Sequence, residues 1–206
     1  MLEAQECSNL IAALESSCDF APRQGDQDVR LSDVIVWVAP AELTEELFRR
    51  FEPLLPRLAI DGFAPPGVSR LPVALNARLR CYRYKRGQTF LPHHDMQQRG
   101  VKLADGALSE DASLRSWFTA LIYLNGGGDF QGGATALYDH GDEDEPPPAS
   151  EALRVEPACG EALVFPHGEH PESLLHAGEP VMDGTKYVIR TEFLFRHGRH
   201  ASAPAA

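Results

Sequence analysis

Two residues of metal-ligating type, His93 and Asp95, stand two positions apart in the run Tyr82-Arg83-Tyr84-Lys85-Arg86-Gly87-Gln88-Thr89-Phe90-Leu91-Pro92-His93-His94-Asp95. The run reads as a strand, a glycine turn and an extended His-x-Asp segment. Side chains alternate faces along extended backbone, so His93 and Asp95 point the same way and can grip one ion, while His94 points to the opposite side. A third ligand has to come from elsewhere in the chain.

Eight histidines are available in all. His140, beside an acidic run, and His197 and His200, near the C-terminus, read as solvent-exposed. His167, His170 and His176 cluster after a strand-like stretch ending at Phe165, and His176 is the preferred third ligand. It falls just before Gly178 and Pro180, where a short connection leads into the last long strand, and ten residues ahead of Lys186, which that strand carries to the interior. His170, followed by Pro171, is the runner-up. Two imidazoles and one carboxylate on one face of an ion leave the opposite positions open. That donor set suits non-haem Fe(II) oxygenases, whereas zinc is more often closed by four ligands or by softer ones. Arg190 shares the Lys186 face; it reads as paired with an acid such as Glu192, the alternative being a bidentate clamp on a substrate carboxylate.

Composition narrows the partners. The chain has 206 residues, 43% of them hydrophobic, which suits a single domain with a real core. A formal charge of −11 speaks against a nucleic-acid backbone as ligand. Cys7, Cys18, Cys81 and Cys159 form no CxxC pair and read as reduced, mostly buried thiols. No leader-like segment and no apolar run long enough to span a bilayer is apparent, so the expected location is cytoplasmic, away from membranes. No Ser/His/Asp or Cys/His nucleophile pattern and no Walker loop competes with the metal reading. The sequence is silent on oligomeric state.

The elements that must position these residues fall into two groups. Cys7, Leu10, Ile11 and Leu14 recur at helical spacing over Glu3–Ser16, and Leu43, Leu47, Phe48 and Phe51 do so over Ala41–Glu52, with Pro40 at a tolerated first-turn position. Between these helices, Leu31–Val38 alternates as a strand. A proline- and glycine-rich connector over Pro53–Pro72 follows, and then strands: Asn76–Tyr84, Ser116–Asn125, a short strand through Tyr138 after the Gly132-Gly133 turn, Glu161–Phe165 and Gly184–Phe195. Trp117, Thr119, Leu121 and Tyr123 share one face of the second of these. On the last strand Lys186, Val188 and Arg190 share one face, with Tyr187, Ile189 and Thr191 opposite. The acidic, proline-rich run Asp139–Ser150 reads as a solvated loop. This order suggests an antiparallel sandwich or barrel braced by N-terminal helices, in one domain spanning 1–206, with helical support to about residue 70 and a β core over about 71–196.

Four segments resemble the 2-oxoglutarate- and Fe(II)-dependent dioxygenases, with greatest similarity to the prolyl 4-hydroxylase-like branch. These are Tyr82–Asp95, Ser116–Asn125, the Gly132-Gly133-Ala134-Thr135 turn, and the block from Leu174-Leu175-His176-Ala177-Gly178 to Gly184-Thr185-Lys186-Tyr187-Val188-Ile189-Arg190. They follow the family's order over roughly Leu31–Arg196. The resemblance implies a mainly-β double-stranded β-helix (jelly roll) and Fe(II) ligation by His93, Asp95 and His176. It places the distal carboxylate of the cosubstrate 2-oxoglutarate on Lys186, brings Tyr84 and Tyr123 near that cosubstrate, and makes Thr135 a further contact. The implied reaction consumes O2, with ascorbate as an auxiliary reductant, releases succinate and CO2, and hydroxylates a C–H bond, first of all in a prolyl residue of a protein or peptide. The alternatives are a free amino acid or small-metabolite substrate, and a non-catalytic jelly-roll metal-binding protein. The chain departs from the family's pattern in having His176-Ala177-Gly178 where a His-Glu-Gly context is usual, and in a long Pro166–Glu172 segment carrying two extra histidines.

Overall fold

A computed structural model describes residues 1–17, 20–22, 30–104, 107–138 and 153–198. The acidic run at 139–150, His140, His200 and Cys18 lie outside the described residues. Helix α1 spans Ala4–Ser17 and α2 spans Ala41–Arg50, with Pro40 at the N-cap of α2. Strands β1 (Ala21–Pro22), β2 (Arg30–Leu31) and β3 (Asp33–Val38) come between them, so strands begin before the second helix. The connector after α2 is mostly turns, with a short 3-10 helix at Leu55–Leu58.

The remaining strands are β4 (Ala74–Leu75), β5 (Arg78–Lys85), β6 (Thr89–His93), β7 (Arg99–Ala104), β8 (Ala107–Tyr123), β9 (Phe130–Gly132), β10 (Thr135–Tyr138), β11 (Leu153–Val155), β12 (Ala162–Pro166), β13 (Leu175–Gly178) and β14 (Val181–Arg196). The strand expected to begin near Ser116 is therefore much longer, because its first half forms a hairpin with β7. The strand expected from Asn76 starts at Arg78 instead. Asn76 breaks the run because its buried side chain is committed elsewhere, to Glu192, the Arg99 carbonyl and the Val101 amide.

All pairings are antiparallel and make two sheets. The larger runs β1-β3-β5-β14-β8-β12, with β7 added on β8 and β4 and β9 on β14; the smaller runs β11-β10-β13-β6-β2. This is the jelly-roll arrangement of two stacked sheets. Alternation along the central strands divides the larger sheet's faces. Leu79 and Cys81 of β5, Phe118, Ala120 and Ile122 of β8, and Ile189 and Phe193 of β14 face the helices, packing with Cys7, Leu14, Leu47 and Phe51. Tyr82, Tyr84, Val188 and Lys186 face the smaller sheet. The helices thus supply the apolar cover for one face, which leaves the other free for a polar site. Arg50 ties α2 to α1 through two 2.8 Å bonds to Glu6.

Phe193 is wholly buried at the centre of this core, edge-on to Phe51 with ring centroids 5.0 Å apart. Phe193→Ala removes that ring from the buried core, so urea titration followed by circular dichroism should show a loss of about 3–5 kcal/mol.

Candidate metal and cosubstrate site

Residues His93 and His176 meet because β6 and β13 are hydrogen-bonded neighbours in which the two are direct cross-strand partners. His176 therefore sits within a strand, just ahead of the connection to β14. Their rings lie 4.1 Å apart, and Asp95, just past the end of β6, closes the group: its Oδ1 is 3.7 Å from His93 Nε2 and its Oδ2 is 3.7 Å from His176 Nε2. All three are buried, with their ligand atoms within 4.8 Å of one another, the one group of that kind among the described residues.

Tautomers follow from the partners. His93 Nδ1 is 2.8 Å from the Leu91 carbonyl and His176 Nδ1 is 3.1 Å from the Leu174 carbonyl. A carbonyl only accepts, so each Nδ1 carries the proton and each Nε2 keeps a lone pair toward Asp95. Burial pushes the His176 imidazole below its ordinary value, against the pull of Asp95, and so favours the neutral, ligating form. Burial, the largest influence, opposes ionisation of Asp95, but the Arg190 guanidinium together with His176, His93 and His167 outweighs it and holds the carboxyl well below the usual carboxylate range. Two neutral imidazoles and an ionised carboxylate form a donor set that fits Fe(II).

Arg190 has the expected acidic pairing, with Asp95 as its nearer partner beside Glu192. Its Nη1 lies 3.1 Å from Asp95 Oδ1, while its Nη2 is 3.4 Å from Glu192 Oε1 without hydrogen-bond geometry. Glu192 is engaged by Arg80 at 2.6 Å and by Asn76 at 3.0 Å. Thr119 donates a 2.7 Å bond to Asp95 Oδ2. Neither contact to Asp95 is visible in the sequence as such. The clue to Thr119 is its position on the inward face of β8, four residues before Tyr123.

Lys186 stands at the other end of the same pocket, 4% exposed, with Nζ 2.6 Å from the Gly133 carbonyl. Gly133, at φ +69°, lets the backbone come this close; a Cβ there would lie 3.3 Å from the lysine's own Cδ and 3.1 Å from Phe130 and Val181. The ammonium lies 5.6 Å from the Tyr84 ring centre and 5.5 Å from that of Tyr123. Burial lowers its pKa to about 8, and among the described residues it has no ion-pair partner. A buried ammonium without a counter-ion is a costly arrangement that an anionic ligand relieves.

Tyr82, Tyr84, Phe90, Leu121, Thr135 and Val188 line the space between the lysine and the histidines. Tyr123 stands behind Thr135, its hydroxyl 2.8 Å from Thr135 Oγ1, and burial pushes its phenol up to about 12, so it remains a protonated hydrogen-bonding group. Tyr82 was absent from the expected set, although its spacing of two from Tyr84 on one strand already put both on one face.

The other histidines are accounted for differently. His170 packs edge-on against Phe63 and Phe118 and lies outside the ligand group. His94 is half-buried and outside it as well. His197 is not exposed as its place near the terminus suggested: it is half-buried and stacked on Trp117, because Val68 bridges to it and holds the end of the chain against the sheet. Cys7 and Cys81 are buried thiols in no disulfide, while Cys159 is exposed. No helix among the described residues is long and apolar enough to cross a membrane.

Comparison with solved structures places the same architecture elsewhere. The chain is similar to a viral collagen prolyl hydroxylase of Paramecium bursaria Chlorella virus-1 in its 2-oxoglutarate complex (TM-score 0.59, 20% identity, 95% of this chain and 92% of that one). It is similar to a Pseudomonas putida prolyl-4-hydroxylase (0.57, 19%, 96% and 89%) and to a Trichoplax adhaerens prolyl hydroxylase bound to a hypoxia-inducible-factor peptide fragment (0.57, 16%, 94% and 77%). At these identities the likeness establishes the fold. Comparison with curated proteins gives no match. The profile of the 2OG-Fe(II) oxygenase superfamily, however, matches residues 79–193, more than half of the chain. The chain belongs to that superfamily: it is a 2-oxoglutarate-dependent dioxygenase whose chemistry runs on Fe(II), 2-oxoglutarate and O2.

Proposed function

We propose that this dioxygenase hydroxylates a prolyl residue in a protein or peptide, with His93, Asp95 and His176 holding the iron and Lys186 anchoring the cosubstrate. The observation that carries the site assignment is the pairing, in one pocket, of a buried His/Asp/His group with a buried ammonium that has no ion-pair partner among the described residues. A dicarboxylate cosubstrate answers both ends: an anion for Lys186 and a chelating group for the ion. Tyr84, Thr135 and, through Thr135, Tyr123 supply neutral donors that orient the carboxylate without competing with Lys186 for charge. When bound, Fe(II) with 2-oxoglutarate and O2 supplies the oxidation, releasing succinate and CO2 and placing one oxygen atom in a substrate C–H bond. The residues around it keep the site dry: Phe90 stacks on His93 at 3.4 Å, and Phe165 covers His176 at 4.5 Å. The prolyl assignment is supported by the three similar structures, each a prolyl hydroxylase by name, one of them bound to a peptide.

One observation favours a small carboxylic acid, such as a free amino acid, as the alternative substrate. Among the described residues the buried Arg190 has no hydrogen-bond partner on Nε or Nη2, the latter only 3.4 Å from Glu192 Oε1, although it lines the pocket beside Asp95. A substrate carboxylate would satisfy both. Succinate release from 2-oxoglutarate with Fe(II), ascorbate and air, measured with proline-containing peptides and with free amino acids, separates the two. Peptide-dependent turnover with a product heavier by one oxygen atom is the expected result; stimulation by free amino acids alone would assign the small-molecule substrate. His93→Ala, Asp95→Ala and His176→Ala should each reduce turnover to background, and His94→Ala should not.

Lys186 gives a prediction with two opposed signs. Lys186→Met should weaken 2-oxoglutarate on the order of 10²-fold, the scale of a buried charge pair losing one partner. The metal-free, cosubstrate-free variant should be more stable than wild type at neutral pH, because an uncompensated charge leaves the interior. Between about 8 and the ordinary lysine value of 10.5, the unfolded chain binds the proton that folded Lys186 has released. Lys186's own contribution to stability therefore rises with pH across that window. Urea titrations should accordingly show the variant's advantage shrinking from pH 7.5 to 10.5.

A further inference from the structure

The extra histidines of the Pro166–Glu172 segment have no part in the site as described so far, and one of them lies directly beneath it. His167 is 1% exposed and bonds at both ring nitrogens: Nδ1 is 2.6 Å from Thr119 Oγ1 and Nε2 is 2.7 Å from Ser116 Oγ. Thr119 is the residue that donates to Asp95 Oδ2 at 2.7 Å. Ser116 Oγ accepts the Gln98 amide at 2.8 Å. Ser116 and Thr119 are both fully buried, so no solvent competes for these groups.

The direction of every proton in this chain can be worked out. An ionised carboxylate only accepts, so the one hydroxyl proton of Thr119 goes to Asp95. Thr119 Oγ1 must then accept from His167, which puts the imidazole proton on Nδ1. His167 Nε2 is left as an acceptor and takes the Ser116 hydroxyl proton. Burial keeps the ring neutral, lowering its pKa to about 4, in agreement with a single-proton tautomer. The backbone repeats the connection: the Gly168 amide donates to the Asp95 carbonyl at 2.9 Å, and the His167 amide to the Trp117 carbonyl at 3.0 Å. At Gly168, φ is +62° and a Cβ would lie 2.9 Å from the Gln97 amide nitrogen, so the segment approaches the Asp95 loop as closely as only glycine permits.

We propose that His167 is a positioning residue for the metal site, acting through Thr119 to hold Asp95 in its ligating rotamer. This rests on the reading of Asp95 as a metal ligand. Asp95 Oδ2 takes the Thr119 proton while Oδ1 faces Arg190 Nη1 at 3.1 Å, so the plane of the carboxylate is restrained at both oxygens. Without His167, Thr119 loses the donor that orients its hydroxyl, and Asp95 is free to turn away from the two histidines. The long Pro166–Glu172 segment is thus the support of the ligand supplied by the His-x-Asp run.

Co(II) titration of the purified full-length protein, followed by its visible absorption, tests this without turnover. Thr119→Val keeps the shape and removes the donor, and His167→Phe removes the anchor. Each should weaken Co(II) by about 10–100-fold, the usual scale for a lost partner of a ligand, and alter the absorption bands. Thr119→Ser, and His167→Asn with its amide donor near the Nδ1 position, should restore binding to within a few-fold of wild type. Thermal melting of the metal-free proteins separates positioning from folding: a merely structural role would lower the melting point and leave Co(II) affinity unchanged, which overturns the proposal. Should His167→Phe not fold, the Val and Ser variants at Thr119 decide alone. Asp95→Ala is the control. If it binds as tightly as wild type, or wild type does not bind, the metal reading falls and the proposal with it. If Asp95→Ala loses Co(II) while Thr119→Val and His167→Phe retain it, the proposal alone falls.

Discussion

An ionised carboxylate buried between two sheets is the constraint on which this structure turns. Asp95 is 4% exposed, and its charge survives there only because cationic and hydrogen-bonding groups converge on it. Arg190 stands at one oxygen and Thr119 at the other, with the Nε2 atoms of His93 and His176 on the remaining side. Each comes from a different strand: β14, β8, β6 and β13. The jelly roll supplies this convergence because its two sheets face each other across a polar gap, while the helices cover the outer face of the larger sheet.

Strand β14 illustrates how the fold distributes cost. Its helix-facing positions, Ile189 and Phe193, are apolar and belong to the main core. Its pocket-facing positions, Lys186, Val188 and Arg190, carry two buried cations. Arg190 has Asp95 as a counter-charge, and Glu192, further along, has Arg80. Among the described residues Lys186 has no ion-pair partner, its near contacts being a carbonyl and two aromatic rings, with Glu179 and Glu156 acting from further off. Stability and function therefore pull apart at Lys186, as expected of a position kept for binding rather than folding.

Much of this was legible locally. Period-two alternation put His93 with Asp95, and Lys186 with Val188 and Arg190, on shared faces, because pleated backbone allows nothing else. Helical spacing located α1 and α2 to within a residue or two of their ends. Errors arose where an element's limits depend on a distant partner. β8 runs back to Ala107 because β7 pairs with it, and β5 starts late because Asn76 bonds residues 23 to 116 positions away. His197 is half-buried through its bridge to Val68, another contact that no local pattern encodes.

Residue type and spacing by themselves determined the donor chemistry: which face the His-x-Asp pair presents, that a lysine would be carried inward ten residues after His176, and that the charge balance is acidic. Those properties follow from covalent geometry and side-chain chemistry, which are local. Spacing to Gly178, Pro180 and Lys186 already favoured His176 over His167 and His170; tertiary structure brought it to the pair, through the cross-strand pairing of β13 with β6. Tertiary structure also decided that Arg190 turns to Asp95, and that Thr119 and His167 line up beneath the carboxylate. Those choices depend on burial and on which groups are left to share a proton or a charge, and both exist only once the sheets have closed.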